Sequence, residues 1–156
     1  MQKLNIVHPY GLIGDLPDYN KNNDIKSIKF GQDPLQLRPE QLIDLATNIK
    51  IFTQQLEDEK ILHTMSSLVS EAETIVFLGF AFHEQNMELL KPSPNNHVKN
   101  VYATLKGVSE SDSLVIESQI TRMFNTRNRR LVPPRLNLKN MTCSQLFYDF
   151  YRSIGS

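Results

Sequence analysis

The amino-acid sequence predicts an α/β fold, a partial Rossmann-like three-layer domain with a mainly parallel sheet. The first observation behind this prediction is the apolar run from Thr74 to Phe80, which is continuous rather than alternating. Such a run is typical of a central strand buried on both faces, so we predict nearly complete burial of Val76 and Leu78. The second is an amphipathic helix pattern that ends just before this run, at Ala72. A helix, a short joint and a buried strand form the second half of a βαβ unit.

The composition favours one domain. The chain has 156 residues, of which 40% are hydrophobic and 22% charged, so we predict a single α/β domain over residues 1–156. The one cysteine, Cys143, has no partner for an internal disulfide, which is typical of a reducing compartment and favours a cytoplasmic protein. The longest nearly apolar run, "IVFLGFAF", is far shorter than the roughly 20 residues that span a bilayer, so a membrane role is excluded.

The N-terminal part is predicted to hold two short strands and two helices. A strand over Leu4–Val7 stops before Pro9, which cannot donate to a ladder, and a weaker edge strand covers Ile25–Phe30. A proline in the first turn favours a helix over Pro39–Asn48. A second helix covers Glu57–Ala72, and its first-turn acidic residues suit the positive end of the helix dipole.

Helices and strands alternate after the buried strand. The predicted elements are a helix over Asn86–Lys91, a strand over Val98–Leu105, a helix over Asp112–Phe124 capped by Ser109 or Ser111, an irregular basic loop over residues 125–140 and a final helix. Thr142 and Gln145 have the spacing of a capping box for that final helix, and Gly155 ends it.

The charge is unevenly distributed although its sum is zero. From Arg122 onward the chain has seven basic side chains and only one acidic side chain, Asp149. Such a distribution marks an anion-binding surface, an attraction between two parts of the chain, or only a solvated basic loop. Aromatic residues that would stack on bases are not interleaved with Arg127, Arg129 and Arg130, so nucleic acid is not favoured as a partner.

The carboxyl ends of the strands are the places where open α/β sheets bind ligands. Here they correspond to His8–Gly11, Gly79–Asn86 and Thr104–Gly107. A ligand can approach the amide of Gly79 closely because the residue lacks a Cβ, although tight packing against a helix would select glycine equally well. His8 has the position of a catalytic base, but a lone histidine is more often structural.

Metal and nucleotide motifs with a fixed spacing are missing from the sequence. The four histidines and Cys143 show none of the usual ligand spacings, so no metal site is predicted. No Walker loop, G-x-S-x-G elbow or G-x-G-x-x-G turn is present either.

Two segments, "NIVHPYGLIGDLP" and "ETIVFLGFAFHEQNMELL", resemble bacterial sirtuin-like proteins, relatives of NAD-dependent deacetylases that are often found in phage defence. In that family a strand ends in a His-Gly pair whose histidine is the general base. A later strand ends in Gly-Thr-Ser, which contacts the adenosine side of NAD. The resemblance covers about residues 4–107 and leaves the C-terminal helices and basic loop, 108–156, outside it.

The resemblance implies NAD as the substrate and His8 as the catalytic base. It also implies a cofactor-binding role for Gly11, Gly79, Phe80, Ala81 and Thr104. This chain departs from the family in two ways, since Pro-Tyr follows the histidine, and phenylalanine and alanine replace the two hydroxyl residues of the Gly-Thr-Ser turn.

The family's first strand and its Gly-Ala-Gly phosphate loop would precede His8. We therefore expect the chain to be the C-terminal portion of a sirtuin-like NAD-binding or NAD-hydrolysing domain that is inactive in isolation. An NAD-consuming hydrolase or deacetylase-like activity would need the N-terminal part of a larger polypeptide or a partner protein. The alternative is a non-catalytic α/β protein-interaction module that binds a partner through a sheet edge or the basic loop.

Overall fold

The computed structural model describes residues 7, 9, 14–15, 28–29, 33–49, 59–93, 98–124 and 133–155. The chain divides into two compact units, Met1–Ile61 and Leu62–Ser156. The single domain over residues 1–156 stays a prediction.

The first unit contains a short parallel ladder and a helix. Strand β1, Gly14–Asp15, pairs with strand β2, Ile28–Lys29. A 3₁₀ turn at Pro34–Gln36 precedes helix α1, Pro39–Ala46, whose buried residue is Leu45. The helix begins at the predicted proline, where a missing N–H is harmless, and it ends two residues before the predicted boundary.

The first unit differs from the prediction in its strands. β1 lies where the sequence predicted a loop, and β2 covers two residues of the predicted strand Ile25–Phe30. The predicted strand Leu4–Val7 lies outside the described residues apart from Val7, which is not in a strand.

The second unit is built on an open sheet of three parallel strands in the order β3–β4–β5. These strands are β3, Thr74–Phe77, β4, Asn100–Thr104, and β5, Arg135–Lys139. The helices are α2, Glu59–Glu71, which begins at the end of the first unit, α3, Glu84–Leu89, α4, Glu110–Phe124, and α5, Cys143–Ile154. Helices α3 and α4 form the two crossovers between parallel strands, so the predicted α/β class is confirmed.

The core lies on both faces of β4, because alternate residues of a strand point in opposite directions. Val101 and Ala103 are completely buried and belong to one apolar cluster with Ile120 of α4. On the other face the ring of Tyr102 lies 5.4 Å from that of Phe150 on α5. Helices therefore cover the central strand from both sides.

The predicted central strand Thr74–Phe80 is wrong in its length and in its position. β3 ends at Phe77 and is the edge strand among the strands that the structure describes, whereas β4 is central. Val76 is half-buried and Leu78 is 41% exposed, although the sequence predicted nearly complete burial for both. The strand cannot continue because the chain turns at Gly79, whose φ is +56°.

The predicted irregular loop over residues 125–140 is also wrong in part. Residues 125–132 lie outside the described residues, but Arg135–Lys139 forms β5, in register with β4 over all five residues. Its sequence, Arg-Leu-Asn-Leu-Lys, alternates as a strand requires, although prolines and basic residues surround it.

The predicted caps of the last two helices are largely confirmed. α4 begins two residues before the predicted start because Ser109, one of the two proposed caps, accepts the amide of Asp112 at 3.1 Å. For α5, the Thr142 hydroxyl accepts the Gln145 amide at 3.2 Å and the Gln145 side chain accepts the Thr142 amide at 2.9 Å, which is the predicted capping box.

Candidate functional site

A hydrogen bond joins the carboxyl ends of β3 and β4. The amide of Gly79 donates to the hydroxyl oxygen Oγ1 of Thr104 at 2.9 Å. A Cβ added at Gly79 would meet no atom within 4 Å, so the positive φ rather than a lack of space accounts for glycine at this position. The bond fixes the loop after β3 directly against the end of the central strand.

Three phenylalanine rings pack together and hold the same loop against the end of β3. The ring centroids of Phe77, Phe80 and Phe82 lie 5.0 to 5.3 Å from one another. The carbonyl of Ala81 accepts a bond from the Asn86 side chain at 2.8 Å, which fixes the loop to α3. Phe80 therefore anchors the loop in the core, while Ala81 and Gly79 remain exposed.

An open cavity of about 450 Å³ lies at this edge of the sheet. Its lining includes four of the residues to which the sequence analysis gave a cofactor-binding role, namely Gly79, Phe80, Ala81 and Thr104. The two other predicted site residues, His8 and Gly11, lie outside the described residues. We call this space the carboxyl-edge cavity.

The third strand adds a wall that the sequence analysis missed. Thr142 and Cys143, at the start of α5, line the carboxyl-edge cavity, and Cys143 Sγ lies 4.0 Å from Thr104 Oγ1. The residues follow β5, which the sequence analysis had placed in an irregular loop. The alternation in β5 was the signal that would have identified this third strand end.

Lys106 is the charged residue of the carboxyl-edge cavity. The other described residues of its lining include no Lys, Arg, His, Asp or Glu. Thr104 is 7% exposed, and its hydroxyl accepts the Gly79 amide while its own proton can be donated either to Cys143 Sγ or to a ligand. The cavity therefore offers a hydroxyl donor, a cation and apolar walls.

Lys99 lies at the opposite, amino end of the central strand. It is 2% exposed, and its ammonium donates to the carbonyl oxygens of Ser70 and Ala72 at the end of α2. Burial lowers the pKa of Lys99 from its ordinary value, and the charge of Glu73 opposes this shift. Lys99 therefore connects the end of α2 to the start of β4, which is the opposite end of the strand from the carboxyl-edge cavity.

The described histidines and acidic residues do not form a further site. His63 is exposed on α2 and His83 is the exposed N-cap of α3. Within the described ranges, no group of three or more His, Cys, Asp or Glu side chains is placed to hold a metal ion. No helix in the described part of the chain is long and apolar enough to cross a bilayer.

Comparisons of the chain with protein-family models, curated proteins and solved structures find no match.

Proposed function

We propose that the chain contributes the adenosine-binding part of a sirtuin-like NAD-binding domain with Rossmann-like topology and is inactive in isolation. The carrying observation is the Gly79–Thr104 hydrogen bond, which joins two strand ends beside the carboxyl-edge cavity. Parallel α/β sheets bind nucleotides at this edge. A volume of about 450 Å³ falls within the range of roughly 300–1,000 Å³ that is usual for small-molecule sites.

The groups around the cavity suit a nucleotide. In this proposal the Thr104 hydroxyl donates to a ribose oxygen, and Phe80 and Val108 supply apolar contact for a base. Thr142 and Cys143 bring the positive end of α5, a helix of 12 residues, to the same cavity, which favours a phosphate.

His8 is the proposed catalytic residue. As a general base it would activate a ribose hydroxyl or water in an NAD-consuming reaction, which is worth roughly 10²–10⁴ in rate. The N-terminal part of a larger polypeptide or a partner protein would supply the remaining phosphate contacts, and a cytoplasmic role in phage defence is the biological context we propose.

An NMR titration of the ¹⁵N-labelled chain with NAD tests the binding part. We expect the amide signals of Gly79, Ala81 and Thr104 to shift with a dissociation constant on the order of 1 mM, about −4 kcal/mol, because the cavity is open and offers few polar contacts to the ligand. Nicotinamide, which lacks adenosine, ribose and phosphate, is the control ligand and should leave these signals unchanged.

The same samples test the inactivity of the isolated chain. Chromatography should detect no nicotinamide release from NAD. Measurable hydrolysis would contradict the expected inactivity, and micromolar affinity would contradict the expected weak binding. Unchanged signals at Gly79, Ala81 and Thr104 would refute the proposed site.

A specific observation also favours the alternative, a non-catalytic interaction module. Among the described strands, β3 pairs on one side only, so its other edge has no described partner strand. Beside it lies an apolar groove of about 390 Å³ lined by Val69, Ile75, Leu78 and Leu90 among others. An extended peptide from a partner protein can add to such an edge. This alternative becomes the better one if NAD shifts no signal at the carboxyl edge.

A further inference from the structure

Lys106 lies at a position where dinucleotide-binding sites distinguish NAD from NADP. In those sites a carboxylate near the end of the neighbouring strand accepts bonds from the adenine ribose hydroxyls, whereas a nearby cation accommodates a 2′-phosphate. β4 is the strand next to β3, and Lys106 is the second residue after its last residue, Thr104. No carboxylate is among the described residues that line the carboxyl-edge cavity.

The backbone around Lys106 is fixed in a tight turn. The amide of Val108 donates to the Leu105 carbonyl at 3.1 Å, which closes a four-residue turn around Lys106 and Gly107. Gly107 has a φ of +81°, as the third residue of a type II turn requires. Its amide donates to the Asn140 side chain at 3.3 Å, so the turn is also held to the end of β5.

The charge of Lys106 is not neutralised by a neighbour. Within the described part of the chain Lys106 has no ion pair or hydrogen bond from its ammonium, unlike Lys91, which pairs with Glu88 at 3.1 Å. Lys106 is exposed and lines the cavity, so its ammonium is available to an anion. A phosphate monoester suits it well, because such a group carries about −1.5 to −2 charges at neutral pH.

We infer that Lys106 makes the carboxyl-edge cavity selective for an adenine nucleotide with a phosphate monoester on its ribose, so that NADP binds in preference to NAD. This inference rests on the proposed adenosine site and adds the identity of the ligand to it. A charge-assisted contact from an exposed lysine is expected to strengthen binding about tenfold. Gly107 and Asn140 then act as positioning residues for Lys106.

Parallel NMR titrations of the full chain with NADP and NAD at low ionic strength measure this preference. We expect NADP to bind about tenfold more tightly than NAD to the wild-type chain. Lys106→Gln should reduce NADP affinity to that of NAD and leave NAD affinity within about twofold, whereas Lys106→Arg should keep the preference. Lys91→Gln removes an exposed lysine outside the cavity and is the matched control, which should behave as wild type.

The remaining outcomes show whether the role of Lys106 or the adenosine site itself is wrong. Equal binding of both nucleotides, with shifts at Gly79 and Thr104, overturns the role of Lys106 and leaves the adenosine site intact. An NADP preference that survives in Lys106→Gln also overturns it, since another group would then read the phosphate. Absence of shifts with either nucleotide refutes the site itself and the inference with it.

Discussion

Thr104 is the residue on which the geometry of the carboxyl edge depends most directly. Its hydroxyl is the acceptor for the Gly79 amide, and the side chain is 7% exposed. The Gly79 amide is exposed at the open cavity, so water can partly replace a lost acceptor, and the bond is expected to contribute as an ordinary part-buried hydrogen bond.

We expect Thr104→Val to lower the free energy of unfolding by about 0.5–1.5 kcal/mol, because valine keeps the shape but removes the acceptor. Thr104→Ser retains the hydroxyl and should restore most of this stability. Urea denaturation followed by circular dichroism measures the difference. A valine variant as stable as the serine variant would show that the hydrogen bond contributes nothing to the fold.

Lys99 gives the stability of the protein a pH dependence at alkaline pH. Burial lowers its pKa in the folded chain below the ordinary value of 10.5, with Glu73 opposing. Between the lowered pKa and 10.5 the unfolded chain therefore binds more protons than the folded chain, so the free energy of unfolding rises with pH in this interval. Below the lowered pKa both states hold the proton and the contribution of Lys99 is constant.

The comparison of wild type with Lys99→Met isolates this effect. In the stated interval the wild-type free energy of unfolding should gain up to about 1.4 kcal/mol per pH unit relative to the variant. Urea denaturation at a series of pH values gives both slopes. Parallel slopes for the two proteins would mean that the pKa of Lys99 is the same in the folded and unfolded chains.

At the scale of elements, α4 covers one face of the central strand, and its two sides differ sharply in exposure. Ile120 is completely buried in the cluster with Val101 and Ala103, whereas Val115 on the same helix is 55% exposed. Ile120→Ala should lower the free energy of unfolding by about 2–5 kcal/mol through the loss of apolar contact and the cavity that remains. Val115→Ala is the matched control.

Thermal or urea denaturation of the two variants tests this packing. Val115→Ala should change the free energy of unfolding by less than about 0.5 kcal/mol, as is usual for exposed positions. Similar losses for both variants would contradict the orientation of α4 against the sheet.

The limits of the sequence prediction are clearest in β3. The apolar run "IVFLGFAF" combines strand residues with the loop phenylalanines Phe80 and Phe82, which pack on Phe77. Both parts bury some apolar surface, for different reasons, and a continuous apolar run cannot distinguish them. The sequence therefore predicted a strand that was too long and too central.

Because β4 and not β3 is the central strand, a charge introduced at Val101 should disrupt the core more than a charge introduced at Val76.

At the scale of the whole molecule, the class of the fold and part of the candidate site were predictable. Parallel strands bring their carboxyl ends to one edge, so choosing residues just after two strands was enough to bring Gly79, Phe80, Ala81 and Thr104 into one cavity. The wall from α5 was not predictable without β5. The expected base, His8, stays a prediction because it lies outside the described residues.

The parallel order β3–β4–β5 also constrains how the second unit folds. Every pairing of its strands joins segments separated by an entire helical crossover, with Thr74 opposite Asn100 and Asn100 opposite Arg135. The sheet therefore cannot nucleate at a tight turn, and each pairing must offset the entropy of closing a long loop before any contact rewards it. Helices α3 and α4 are thus expected to gain structure before the strands meet, and the edge of the incomplete sheet stays open to other chains during that interval.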